Sequence, residues 1–287
     1  MQNLHVGRGT DRGALSVFPI WGEYAGSRGY SAEVANATFG ESGDGPAVDT
    51  LLVTNPQDKP LLMLEGQILE GGWQNRMLAR SLMVAARAET PVDVVCVEAG
   101  RWGNEADGRA HRSFNRRGSA RVRSALRHDG DRQGHVWQRI TEYDGRVGAN
   151  ATSSFTEHTM RAERSVEDLV RGLRAFPGQV GVVIGLAGQP VAAEVFDSPR
   201  TLALQFESIV RAAALDALWL PSEPTPSRRA RRFIDHACRV ETRVQGPAGV
   251  GVTLTGRTPY ADVAALGWRR REVHAVITNP RHALVAA

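Results

Sequence analysis

Lysine is almost missing from this chain. Lys59 is the single one, and the other 34 of the 35 basic residues are arginine. An arginine-favouring codon usage explains the bias. Its physical consequence is a chain whose cations stay charged and whose planar forks suit carboxylate and phosphate. The formal net charge is only +4, which attracts anionic ligands without arguing for nucleic acid. Cysteine is nearly absent too. Cys96 and Cys238 are alone, with no C-x-x-C spacing and no zinc partner set, so neither a disulfide framework nor a thiolate metal site is expected. Free thiols fit a reducing, cytoplasmic setting. No apolar run is long enough for a membrane span, and MQNLHVGRGTDRG has no apolar h-region, so neither membrane anchoring nor a signal peptide is expected. The familiar chemical signatures are lacking as well. There is no G-x-x-x-x-G-K-[ST], no G-x-G-x-x-G between strand and helix, no G-x-S-x-G and no H-E-x-x-H. The eight histidines are scattered, and among them only Glu157–His158 draws notice, with an exposed loop pair the simpler reading.

What is present is a core-forming chain of 287 residues, 42% hydrophobic and 23% charged. That is enough for one large domain or two modest ones. The first hundred residues read as short strands punctuated by Gly, Pro and Asn: 14–22, 30–37, 49–55, 60–72 and 92–100. Residues 76–89 suit either helix or strand, and the surrounding strands favour strand. A helix is expected at 119–127 and helical spacing over 134–148. A further helix is expected to open at Ser165, through a Ser165–Asp168 capping pattern. Residues 180–196 read as a hairpin turning at 187–189, followed by a long helix from Ser198–Pro199. A linker (221–227), a basic helix (228–237) and three closing strands complete the chain. The expected class is α+β: a β-rich N-terminal half, sandwich or barrel-like, combined with an α/β C-terminal half. Residues 1–287 form one composite domain in this reading, with lobes 1–103 and 104–287 as the alternative.

The most informative stretch is Leu61–Trp102, where apolar segments keep returning to polar groups. Unpaired carboxylates in such surroundings cost several kcal/mol, roughly, so these groups must be satisfied internally or used. Glu65 and Glu98 each end an apolar segment, LLMLE and VVCVE. If the strands are neighbours, the carboxylates form an acid/base pair; alternatively each pairs with Arg76 or Arg101. Gln67, Gln74, Asn75, Arg76 and Arg101 offer amides and guanidinium forks for an anion or nucleotide. Trp73 and Trp102 offer faces for stacking, with core packing the simpler role. Seven arginines between Arg109 and Arg127 form either a solvated basic face or an electropositive rim for a phosphate-bearing ligand, with nucleic-acid binding a third and weaker reading.

GQILEGGWQNRML followed by PVDVVCVEAGRW resembles the signature of the ARPP-1 family, a domain associated with ADP-ribosylglycohydrolases and rhodanese-phosphatase proteins. The matching residues are Gly66, Gln67, Gln74, Asn75, Arg76, Cys96, Val97, Glu98, Gly100, Arg101 and Trp102, with Gln67 standing where the family more often has Glu. Weaker likeness continues through 136–140, 181–197 and 214–219. The resemblance implies a link with ADP-ribose or NAD metabolism and supplies no mechanism. The expectation is therefore a protein that binds a phosphate-bearing, nucleotide-like small molecule, with Glu65 and Glu98 as catalytic candidates if it hydrolyses that ligand. Gln67, Gln74, Asn75, Arg76, Arg101 and Trp102 are the ligand-binding candidates. No metal site is expected, the cofactor is undetermined, and nucleic acid and membrane are not expected partners. The rival is a non-catalytic sensor or scaffold whose polar set is a structural network.

Overall fold

The computed structural model describes every residue except 1–2, 25–27, 42–46, 102–110, 114, 129 and 287. The fold is α+β, as the strand-then-helix pattern predicts. The chain forms two compact units: residues 1–28 with 165–287, and residues 29–164. The second is therefore inserted in sequence within the first, and the first hundred residues are shared between them.

The chain enters the first unit with β1 (His5–Val6), β2 (Thr10–Arg12) and β3 (Leu15–Trp21). β3 pairs antiparallel with both of the others.

The inserted unit begins with a 3-10 turn over Val34–Asn36. The expected strand at 30–37 is not there. Its apolar residues Tyr30, Ala32 and Val34 are buried, but backbone pairing is limited to an isolated bridge from Ser31 to Leu61. The strands proper are β4 (Thr38–Gly40), β5 (Thr50–Asn55), β6 (Leu61–Met63), β7 (Ile68–Leu69), β8 (Arg76–Leu78), β9 (Leu82–Val84) and β10 (Ala88–Cys96). Residues 76–89 are thus extended, as their neighbours suggested. A five-stranded sheet runs β4-β5-β10-β8-β7, and β6 pairs with β9. In β5 alternate residues Leu51, Val53 and Asn55 point inward, the period-2 signature of a sheet with one covered face. β6, β8 and β9 are buried at every position, which is why their sequences show no clean alternation. Helices follow: α1 (Ala120–Ser124), capped by the Ser119 hydroxyl accepting from the Val122 N–H, then α2 (Arg132–Thr141), α3 (Asp144–Val147) and α4 (Phe155–Arg161).

α5 spans Glu163–Val170. It starts two residues before Ser165, so that serine is interior and the predicted capping pattern does not operate. The returning chain builds β11 (Gly181–Leu186) and β12 (Gln189–Phe196), joined by Ala187 and Gly188. Both turn residues have positive φ, 45° and 82°, the twist a two-residue hairpin demands. Next come α6 (Pro199–Ala217), α7 (Ser227–Ala237), β13 (Arg243–Ala248), β14 (Gly251–Arg257), β15 (Asp262–Trp268) and β16 (Arg271–Thr278). Three closing strands were expected from the sequence; β15, DVAALGW, is a fourth. These strands complete a nine-stranded sheet ordered β1-β3-β11-β12-β16-β15-β14-β13, with β2 at the side of β3. α7 carries Ala230, Phe233, Ile234 and Ala237 at helical spacing, and this face joins Phe18, Ile20, Val183 and Ile277 in one core. Burying Phe233 and Ile234 contributes about 2–3 kcal/mol each.

Candidate functional site

The polar groups of 61–102 separate into two arginine–carboxylate networks, both within the inserted unit. The first surrounds Glu65, in the turn between β6 and β7. Its carboxylate is 2% exposed. Arg127 forks onto it with two bonds of 2.8 Å, and Arg123 donates to Oε1 at 3.2 Å. The Arg117 Nη2 donates to the Glu65 carbonyl at 2.9 Å. Gln67 turns its amide oxygen back to the Leu64 N–H at 2.9 Å, which tightens the same turn. Nearby, Arg116 Nη1 donates to both oxygens of Glu70, at 2.7 and 2.8 Å. Most of the described arginines in this segment are therefore paired rather than solvated, although Arg112 is exposed. Arg117 and Arg121 are buried, and Arg121 pairs with Glu142.

The second network is built on the β7–β8 turn, GGWQN. Gly71 and Gly72 hold φ of 112° and 53°, conformations that other residues rarely adopt. The Asn75 side-chain oxygen accepts from the Gly71 N–H at 2.9 Å, and its amide nitrogen donates to Thr156 Oγ1 at 3.0 Å. β8 then pairs with β10 in a register that sets Arg76 opposite Cys96. The ladder continues from the Val97 N–H to the Asn75 carbonyl at 3.0 Å, so Glu98 arrives beside the turn. Glu98 Oε2 accepts from the Asn75 N–H at 3.3 Å and from Arg101 Nε and Nη2 at 3.0 and 2.8 Å. Its Oε1 accepts from Thr152 Oγ1 at 2.8 Å. Arg101 Nη1 donates to the Gly72 carbonyl at 2.8 Å. Arg101 is the member that meets solvent, its side chain 34% exposed.

Arg76 is fully buried, and its Nη1 donates to the Gln74 side-chain oxygen at 3.1 Å. Glu41 lies 4.0 Å from its Nη2. Burial pushes the Glu41 carboxyl up, against the pull of Arg76 and of the Trp73 backbone N–H. His111 is 2% exposed, with Nε2 3.0 Å from the Gln74 carbonyl. That contact makes Nε2 the protonated nitrogen and leaves Nδ1 the lone-pair nitrogen; Nδ1 is buried with no hydrogen-bond partner among the described residues. Burial drives the imidazole down to about 4, with Arg76 and Arg101 adding to the effect and the Gln74 carbonyl opposing it. The ring lies against Gly72, where a Cβ would meet His111 Cε1 at 2.2 Å. Cys96 is buried, and its thiol is pushed up to about 11, chiefly by burial.

The structure thus gathers Gln74, Asn75, Arg76, Glu98 and Arg101 into one cluster. Glu65 and Gln67 belong to the Arg117–Arg123–Arg127 network, each carboxylate having its own guanidinium partners. Trp102 and Arg109 lie outside the described residues. His158 is a buried partner of Asp144 at 3.1 Å, and burial lowers its pKa while Asp144 opposes the shift. His111 and Glu41 were not foreseen. Glu41 sits in a Gly-rich stretch and His111 in an Arg-rich one, neither with periodicity, and only long-range folding brings them to the turn. No group of three or more His, Cys, Asp or Glu side chains suited to a metal ion occurs among the described residues. No helix among them is long and apolar enough to cross a membrane.

The fold and this turn define an α+β protein whose inserted unit holds a buried carboxylate–guanidinium–amide cluster. The model of the ARG and Rhodanese-Phosphatase-superfamily-associated Protein domain, ARPP-1, matches residues 3–278, and the chain belongs to that family. No curated protein and no solved structure matches it.

Proposed function

We propose that the inserted unit binds a phosphate-bearing, nucleotide-like small molecule at the β7–β8 turn. ADP-ribose or a related compound fits the family's association with ARG and rhodanese-phosphatase proteins. The observation that carries this reading is the buried Nδ1 of His111, without a hydrogen-bond partner among the described residues and set beside Arg101 and Arg76. A buried acceptor left unsatisfied costs about 1–3 kcal/mol, and a ligand hydroxyl or N–H supplies the missing donor. Arg101, at the solvent edge, receives the phosphate; Gln74 and Asn75 hold the turn, and Trp102 follows Arg101 directly in sequence. If the ligand is hydrolysed, neutral His111 is the candidate general base through Nδ1, with Glu98 beside it, and Glu65 acts as a strut. The free thiols support a reducing, cytoplasmic setting.

A second reading rests on the saturation of Glu98, both of whose oxygens already accept hydrogen bonds. In that reading the unit is a non-catalytic sensor that binds the ligand without turning it over. Thermal unfolding with ADP-ribose, ADP and AMP separates the possibilities. A ligand present at a hundred times its Kd stabilises by about 2.7 kcal/mol, so Tm rises for wild type and the rise shrinks for Arg101→Ala and His111→Asn. Product release on incubation marks the enzyme; a Tm shift without product marks the sensor. No Tm shift with any of the three ligands overturns both.

A further inference from the structure

The unit formed by residues 1–28 and 165–287 contains a groove with a different character. One wall is α7, through Arg229, Arg232 and Phe233. Facing it are Pro190 at the start of β12, Tyr260 between β14 and β15, and Arg281 just beyond β16. The groove is open to solvent and has a volume of about 540 Å³, within the range of small-molecule sites.

Three guanidiniums line this groove, and no carboxylate among the described residues does. Some other arginines of the unit have carboxylate partners: Arg211 pairs with Glu167, Arg257 with Asp262 and Arg271 with Asp197. In the groove, Arg229 donates to the Gly188 carbonyl at 2.6 Å. Arg281 lies over the Tyr260 ring at 5.4 Å, and Tyr260 is stacked on His236 at 4.5 Å. Arg232 has neither ion pair nor hydrogen bond among the described residues. Glu223, packed against Gly188, and Asp235 on α7 are not among the lining residues. The positions are also fixed. Asn279 Nδ2 donates to the Pro190 carbonyl at 2.7 Å, and its Oδ1 accepts from the Arg281 N–H at 3.0 Å, so the residue that carries one guanidinium is tied to the hairpin opposite.

We propose that this groove is a second anion site, which binds a phosphorylated small molecule of nucleotide size. Guanidiniums that line one groove repel one another, and an oxyanion relieves that repulsion while accepting forked hydrogen bonds. The groove has room for more than an inorganic phosphate, and Phe233, Pro190 and Tyr260 in its lining offer apolar contacts to an organic part. The site stands independently of the β7–β8 turn.

The test is calorimetric titration of the full chain with ADP, and separately with pyrophosphate. It uses wild type, Arg101→Ala, and Arg101→Ala combined with Arg232→Ala and Arg281→Ala. Arg232 and Arg281 are exposed, so the fold should persist; far-UV circular dichroism checks this, and Arg232→Lys with Arg281→Lys serves if it does not. The expected result is saturable ADP binding that survives Arg101→Ala, weakens with added salt, and falls at least about tenfold when the two groove arginines are removed. Pyrophosphate should bind more weakly through the same residues. The proposal is overturned if Arg101→Ala binds no ADP, if the combined variant binds as well as Arg101→Ala, or if a short oligonucleotide displaces ADP and binds more tightly. Loss of a wild-type site in Arg101→Ala speaks only to the β7–β8 turn, so the two sites fail separately.

Discussion

Arg101 clasps Glu98 across three residues of chain while its other arm reaches the carbonyl of Gly72. One guanidinium thus ties the end of β10 to the glycine turn that precedes β8. The Glu65 network does a comparable job with more of its charge buried, Arg123 and Arg127 having side chains only 11% and 19% exposed.

This difference predicts unequal outcomes for the same substitution. Glu65→Gln strands two largely buried guanidiniums and should destabilise the fold by about 3–5 kcal/mol. Glu98→Gln leaves Arg101 with access to water, so about 1–2 kcal/mol is expected. Urea unfolding of both variants measures the order. An equal loss would mean that the two networks share one structural role.

Gly72 should resist replacement. Alanine there meets both a positive φ and the His111 ring. We expect Gly72→Ala to lower stability by about 1–3 kcal/mol and to disturb the imidazole, seen as a shifted His111 ring signal in NMR. A neutral substitution would show that the turn relaxes freely.

His111 gives a pH signature. Its folded value, about 4, lies below the ordinary 6.5, so the unfolded chain binds the extra proton between those values. Stability contributed by the neutral ring is complete above about pH 6.5, declines as pH falls, and is lost below about 4, in total about 3 kcal/mol. The difference in unfolding free energy between wild type and His111→Asn, followed from pH 7 to 4, isolates this contribution from the carboxylates. A pH-independent difference contradicts it.

The thiols should react unequally. Cys96 is buried with its pKa pushed up to about 11, whereas Cys238 is exposed just past α7. Ellman's reagent should find one thiol in the native protein and none in Cys238→Ser, with Cys96 appearing only in denaturant. Labelling of native Cys238→Ser would show that β10 opens readily.

The parts of the fold written in short-range patterns were legible. The inward alternation of β5, the Ala187–Gly188 hairpin and the Pro199 helix start each follow from a few adjacent residues. The 61–102 cluster was legible as a physical conflict, polar groups in apolar strands, and Glu98, Arg101 and Asn75 do resolve it among themselves. The Glu65 clamp was not legible, because its partners Arg123 and Arg127 lie 58 and 62 residues away, far beyond any helical or strand period. A separation of 37 residues from Gln74 likewise hid His111. Tyr30–Ala37 misled because burial produces an apolar pattern whether or not a partner strand accepts the backbone. β15 escaped notice behind a Gly- and Pro-rich neighbourhood that reads as loop.

The insertion of residues 29–164 bears on how the chain is made. β3 ends at Trp21, yet its hydrogen-bonded neighbour β11 begins at Gly181. A ribosome adding ~5–20 residues per second finishes the whole inserted unit before β11 emerges, so β3 waits roughly 10–30 s with one edge open. Its exposed partner-seeking edge, LSVFPIW, is rich in aromatic and branched residues. During that interval the nascent chain depends on β1 and β2, and on the chaperones that meet it, to keep β3 from pairing with another molecule.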